Sequence, residues 1–248
     1  MQYSELHCIT NFTFLRGASH PYELVNTASK LGYKALAITD ECSLSGIVKA
    51  HVAASKKNLQ LIIGSEFKIE SHKIIILVTN RDSYSKLSSL ITLARRRSKK
   101  GKYRIRWSDL RFNNDGLLIL WIPCGNLTKD TLIASHLHEW FDQRLWIAFH
   151  NILSGSETCR LSYLQNLSIS WKIQIVACGD IHMHRKNRQL LQDTLTAIRE
   201  GCSLMELGKF RYPNCERYLR KINYLKEIYP PELINETTKI SRLCRFSL

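Results

Sequence analysis

No Cys-x-x-Cys pair occurs in this sequence, although it holds eight cysteines, at 8, 42, 124, 159, 178, 202, 215 and 244. Thiolate zinc knuckles need that close spacing, and the scatter also argues against a secreted disulfide framework. Several cysteines lie in apolar runs such as Ile175-Val176-Ala177-Cys178 and read as reduced, buried small hydrophobes. The N-terminus, Met1-Gln2-Tyr3-Ser4-Glu5, lacks the basic and apolar regions of a signal peptide. The longest apolar runs, 74–78 and 117–122, are far too short to span a bilayer. A soluble, cytoplasmic chain with no membrane partner is expected. No Gly-x-Gly-x-x-Gly follows the first apolar run, which weakens a dinucleotide-binding reading. A nucleophile elbow, a P-loop and a Ser-His-Asp arrangement are missing as well.

Acidic residues are scarce. Twenty-one Asp and Glu stand against 36 Lys and Arg, a formal charge of +15 that favours polyanionic partners such as nucleic acid. The densest basic run is Arg95, Arg96, Arg97, Lys99, Lys100, Lys102 and Arg104, with no acid between them. Charges this close repel one another unless an anion neutralises them. The run reads as an exposed turn or as a weak, sequence-independent DNA contact.

Apolar, β-rich runs at 5–8, 35–39, 59–63, 73–79, 116–121, 145–148 and 173–178 predict strands. Helix-period segments lie between most of them, at 22–31, 44–56, 84–96, 127–140, 158–167 and 188–199. The alternation predicts an α/β protein with a parallel sheet, and strands this uniformly apolar are buried on both faces. Six or seven repeats in about 200 residues fit a closed or distorted (β/α)7 barrel better than an open sheet. After Gly201 the pattern changes to a short helical linker with breaks at Tyr212-Pro213 and Tyr229-Pro230-Pro231. The expected organisation is a barrel domain over 1–200 and a linker over 201–248. The linker ends in an apolar stripe of Leu233, Ile234, Ile240, Leu243 and Cys244 that needs something to cover it.

Four strings carry chemistry: Leu6-His7-Cys8-Ile9-Thr10-Asn11-Phe12-Thr13-Phe14-Leu15-Arg16, Ala37-Ile38-Thr39-Asp40-Glu41-Cys42, Gly64-Ser65-Glu66 and Gly179-Asp180-Ile181-His182-Met183-His184. Each puts a metal-capable side chain at the end of an aliphatic run, as a barrel does at the C-terminal mouth of its strands. From residue 3 to the last residue the series resembles the PHP (polymerase and histidinol phosphatase) domain. More narrowly, it resembles the version at the N-terminus of the error-prone homologues of the bacterial DNA polymerase III alpha subunit. The following helix, 188–199 with Gly201 as its cap, fits the same branch.

The resemblance implies the PHP fold, with two or three divalent metals held by His, Asp and Glu to activate a water and hold a phosphoester oxygen. Carried over, the candidate metal ligands are His7, Asp40, Glu41, Glu66, Asp180 and His182, with His150 and His184 as stand-in imidazoles. Three positions depart from the pattern. Ile9 replaces a histidine, Arg16 replaces an acid, and Glu41 replaces the histidine after Asp40. No more than one weakly bound divalent metal (Zn, Mn or Mg) is therefore expected, and no catalytic residue is assigned. His20, His51, His72, His136 and His138 read as surface or packed residues.

The resemblance also implies template-directed DNA synthesis in repair and lesion bypass for full-length members. Their nucleotidyl-transfer carboxylates lie on a palm domain beyond this module, so the chain alone is expected not to polymerise DNA. The remaining polymerase domains, or other replication and mutagenesis proteins, are the expected protein partners. Two alternatives stand beside this reading: a stand-alone PHP phosphoesterase or 3′–5′ nuclease, and a basic nucleic-acid-binding module without catalysis.

Overall fold

The computed structural model describes residues 2–112 and 114–248. Seven strands form one sheet in sequence order: β1 (Ser4–Glu5), β2 (Ala35–Ile38), β3 (Gln60–Ile69), β4 (His72–Val78), β5 (Leu117–Ile122), β6 (Leu145–His150) and β7 (Gln174–Cys178). The helices are α1 (Pro21–Lys30), α2 (Ile47–Ala54), α3 (Arg81–Arg96), α4 (Leu127–Phe141), α5 (Glu157–Trp171), α6 (Gln189–Glu200), α7 (Ile222–Ile228) and α8 (Pro231–Leu243). Between the last strand and the first, the ring closes through a Cys8–Ile181 bridge, with Ile9 N donating to Ile181 O and Ile181 N to His7 O, both at 2.9 Å. The result is the distorted seven-stranded α/β barrel expected from the sequence.

The sheet is mixed, where the alternation predicted parallel strands throughout. β4 runs antiparallel to both β3 and β5. Only residues 70–71 separate β3 from β4, and Glu70 turns with φ +55°. A parallel partner would need a crossover of a dozen or more residues, so this connection can only be a hairpin. The reversal brings the start of β4 to the end of the barrel where the parallel strands finish.

Side chains alternate along the strands. Leu6, Ala35, Ala37, Ile62, Ile75, Leu77, Leu118, Leu120, Ala148 and Val176 form one buried cluster, while Leu36, Ile38, Ile63, Ile76, Ile119 and Ile147 pack with the helices in another. Small residues such as Ala35, Ala37 and Ala148 let the first cluster fit inside a narrow ring.

α8 covers the floor of the barrel, at the N-terminal ends of the parallel strands. Thr237 Oγ1 accepts from Ser4 N at 3.1 Å, Gln60 Nε2 donates to Ser241 O and Cys244 O, and Trp146 Nε1 donates to Glu236 Oε1 at 2.9 Å. The apolar stripe expected to lack a cover is therefore covered by the barrel itself. Leu233, Ile234, Ile240 and Cys244 are buried, and Leu243 alone stays out, at 48% exposure. All eight cysteines are free, and among the described residues no helix is long and apolar enough to cross a membrane.

Ile240→Ala, which empties a fully buried site beneath the barrel, is expected to lower unfolding stability by about 3 kcal/mol. Leu243→Ala, one turn away and exposed, should change it by less than about 0.5 kcal/mol. Urea denaturation of the two variants checks the assignment, and equal effects would contradict the floor-sealing role of α8.

Candidate metal centre

The strand ends deliver their polar side chains to one mouth. His7 follows β1, Glu66 lies within β3, His150 ends β6, and Asp180 and His182 follow β7. The strand holding Glu66 is longer than the sequence suggested, because the chain continues extended through Gly64 into the hairpin.

His7 is the hub. Its Nε2 lies 2.7 Å from Glu66 Oε2, and its Nδ1 lies 3.1 Å from His150 Nε2 and 3.5 Å from Asp180 Oδ1. His182 Nε2 approaches the same Asp180 oxygen at 3.2 Å. Donor atoms of His7, Glu66 and Asp180 all lie within 4.8 Å of one another, as a metal-holding group requires. Burial pushes the pKa of His7 down despite Glu66, and pushes those of His150 and His182 well below the ordinary value. All three imidazoles are neutral near pH 7.

The protein's own cations meet the carboxylates of this mouth. Arg16 NH1 pairs with Glu41 Oε2 and, at 2.8 Å, with Glu66 Oε1. Lys73 Nζ reaches Glu66 Oε2 at 3.2 Å, and Arg217 NH1 pairs with Asp180 Oδ2. Three carboxylates (Glu41, Glu66, Asp180) are thus matched by three cations (Arg16, Lys73, Arg217). Burial alone would raise the Glu66 pKa, but Lys73, Arg16 and the His7 hydrogen bond hold it well below the usual carboxylate range.

Lys73 and Arg217 were not legible as site residues. Lys73 arrives because β4 is reversed, and Arg217 because the segment after α6 folds back over the mouth. There Arg217 O accepts from His182 N and Met183 N. Tyr212 packs edge-on to His182 and lies 4.5 Å beneath the Arg217 guanidinium.

The remaining predicted residues lie apart from this trio. Asp40 accepts from Thr10 N, Thr10 Oγ1 and Thr13 Oγ1 at 2.7–2.8 Å, so its oxygens hold the 10–13 loop. Glu41 accepts from Tyr103 OH at 2.8 Å. His184 bonds Ser19 Oγ at 2.8 Å, away from the other ligands. His72, read from sequence as exposed or packed, is buried against Trp107 and Trp121 and bonds Asp130 at 2.9 Å.

The basic run divides in two. Arg95 turns inward, donating to Glu41 O and Cys42 O at 3.0–3.1 Å, and Arg97 pairs with Asp109. Arg96, Lys99, Lys100, Lys102 and Arg104 remain exposed.

A multi-metal centre does not fit this donor set. A divalent ion is held by lone pairs and uncompensated negative charge. Here Ile9 offers neither, and Arg16, Lys73 and Arg217 already occupy carboxylate oxygens. Of the candidate ligands carried over from the sequence, His7, Glu66 and Asp180 retain metal-holding geometry; among the described residues a second such group, His72, Cys124 and Asp130, lies outside that set.

Comparison with known proteins agrees with this architecture. The PHP domain profile matches residues 5–148, more than half of the chain. The chain belongs to the PHP domain family. It is 47% identical to the error-prone DNA polymerase of Methylococcus capsulatus over 248 residues, which is 99% of this chain and 24% of that protein. With the error-prone DNA polymerases of Saccharophagus degradans and Pseudomonas aeruginosa it shares 46% and 44% identity, over 100% and 99% of its length and again 24% of theirs. The chain is thus a PHP module matching the N-terminal region of such polymerases, and it spans about a quarter of their length. Among solved structures, a protein described as a metal-dependent phosphoesterase from Bifidobacterium adolescentis superimposes with a TM-score of 0.54 at 17% identity, covering 73% of this chain and 88% of that one. An amidohydrolase from Chromobacterium violaceum, solved with sulfate and no metal, gives 0.54 at 14% identity, over 73% and 87% of the two chains. These likenesses concern the fold alone.

The neutral histidines set a pH dependence. An imidazole whose pKa is depressed by folding binds fewer protons in the native state than in the unfolded chain below about pH 6.5. Stability is therefore fully present above that value and is lost as pH falls. Each of His7, His150 and His182 is expected to contribute up to about 1.4 kcal/mol per pH unit on the acid side. Urea unfolding at several values between about pH 7.5 and 5 should show this slope, reduced by one proton in His150→Gln; an unchanged slope would contradict burial of the neutral form.

Proposed function

We propose that this chain serves as the PHP module of a DNA polymerase III alpha-type protein engaged in error-prone DNA synthesis, in repair and lesion bypass. Its barrel mouth works as a self-neutralised structural centre that hydrolyses no phosphoester. The observation that carries this reading is the pairing of Glu41, Glu66 and Asp180 with Arg16, Lys73 and Arg217. A phosphoesterase needs cations that can exchange water and substrate, and fixed guanidinium and ammonium groups do neither. The His7–Glu66–Asp180 group leaves room for one weakly held Zn²⁺, Mn²⁺ or Mg²⁺, which would draw those side chains together and supply no second ion. DNA is the natural partner of a chain with a charge of +15. The exposed Arg96, Lys99, Lys100, Lys102 and Arg104 offer it weak, sequence-independent attraction.

Purified protein is expected to hold less than one equivalent of Zn²⁺ or Mn²⁺ and to leave an aryl phosphate unhydrolysed. Arg16→Asp should be less stable than the parent without metal, because it leaves Glu41 and Glu66 without Arg16 and adds a third acid. Its melting temperature should then rise with added Zn²⁺ or Mn²⁺ by more than that of the parent, whose single weak site gives only a small rise. Two or more tightly bound metals in the parent, with turnover abolished by Asp180→Ala, would overturn the proposal.

A further inference from the structure

A groove of about 640 Å³ opens between the C-terminal end of α1, the 184–186 loop and the 216–224 segment. Its walls carry Lys30, Arg185, Lys186 and Lys221 against one acid, Glu216. That acid is already engaged: Oε1 accepts from Lys186 Nζ at 3.3 Å, and Oε2 lies 3.8 Å from the buried Arg220. Among the described residues, no carboxylate lies within salt-bridge distance of Lys30, Arg185 or Lys221.

Tyr218 and Tyr224 line the same groove. The hydroxyls of Tyr3, Tyr33, Tyr103, Tyr163 and Tyr229 are all hydrogen-bonded. Among the described residues, those of Tyr218 and Tyr224 have no such partner, and neither ring stacks on another aromatic. Both tyrosines are half-buried and contribute to the groove wall, and Lys30, Arg185 and Lys221 are exposed, so a ligand in the groove meets rings and unpaired cations together.

Unpaired cations interleaved with aromatic rings in one groove suit a phosphodiester chain whose bases are unstacked. A duplex offers the phosphates but hides the base faces. We propose that this groove binds a segment of single-stranded nucleic acid, with phosphates at Lys30, Arg185 and Lys221 and bases against Tyr218 and Tyr224. The site is separate from the barrel mouth, and its operation does not depend on the metal content there. Nor does it rest on the run at 95–104, whose exposed cations lack a comparable pair of tyrosines.

Fluorescence anisotropy of a short labelled oligothymidylate, titrated with the whole chain over a salt series, tests this. Tyr218→Ala with Tyr224→Ala should weaken binding about tenfold or more, while the corresponding Phe pair retains it. Replacing Lys30, Arg185 and Lys221 with serine should reduce the slope of log affinity against log salt by about 2. These three cations are surface residues, so that variant remains informative if the alanine pair fails to fold. Duplex DNA should bind more weakly than the single strand, and thymidine monophosphate should compete only at far higher concentration. Unchanged binding in the folded alanine pair and an unchanged salt slope in the serine variant would each overturn the proposal. So would equal affinity for duplex, or competition by the free nucleotide at the oligomer's own concentration.

Discussion

Glu5 sits where the ring of strands is weakest, between the two-residue β1 and the turn that follows β7. Its Oε1 accepts from Leu6 N, His7 N and Gly179 N at 2.9–3.0 Å, and its Oε2 from Tyr3 OH at 2.8 Å. A side chain thus supplies the hydrogen bonds that a strand ladder supplies elsewhere. The carboxyl is fully buried, and burial pushes its pKa up. Four donors offset much of that desolvation. Gly179 is needed for the approach, since a Cβ there would lie 2.4 Å from Glu5 Oε2. His7 on one side of this joint and Asp180 on the other are consequently fixed together. Asp180 is held in the left-handed region, φ +49°, a conformation that costs a non-glycine residue about 1–2 kcal/mol.

The paired charges at the mouth extend the same logic. Buried ion pairs contribute little net stability, because desolvation cancels most of the attraction, but losing one partner is costly. Arg16 bridges Glu41 and Glu66, so it ties the loop after β2 to the middle of β3. Arg217 ties the segment after α6 to the turn after β7. In effect, the cations perform the crosslinking that metals perform in a multi-metal mouth, without the exchangeable positions that chemistry requires.

Much of this was legible in the sequence, for a simple reason. Runs such as Ile74-Ile75-Ile76-Leu77-Val78 can only be buried strands, and motif residues at their ends must share one mouth. The direction of β4 was not legible, because the Glu70-Ser71 turn carries neither glycine nor asparagine to mark a hairpin. With it went Lys73, which from sequence reads as an ordinary solvated lysine. Arg217 lay 37 positions beyond its partner Asp180, in a stretch whose prolines suggested a linker. Asp40 shows a different limit. Its motif marks it as a ligand, but the two threonines that occupy its oxygens are nearly 30 positions away, and nothing in their spacing announces it.

The strap that carries Arg217 has one property that follows from the pleat of an extended chain. Successive side chains of such a segment leave on opposite sides. Tyr218 is bridged to Met183, so Arg217 meets the barrel mouth while its neighbour meets the groove. The wall between the two chambers is a single backbone thick. One extended segment thus serves two chambers, holding a cation against Asp180 with one residue and an aromatic ring in the groove with the next.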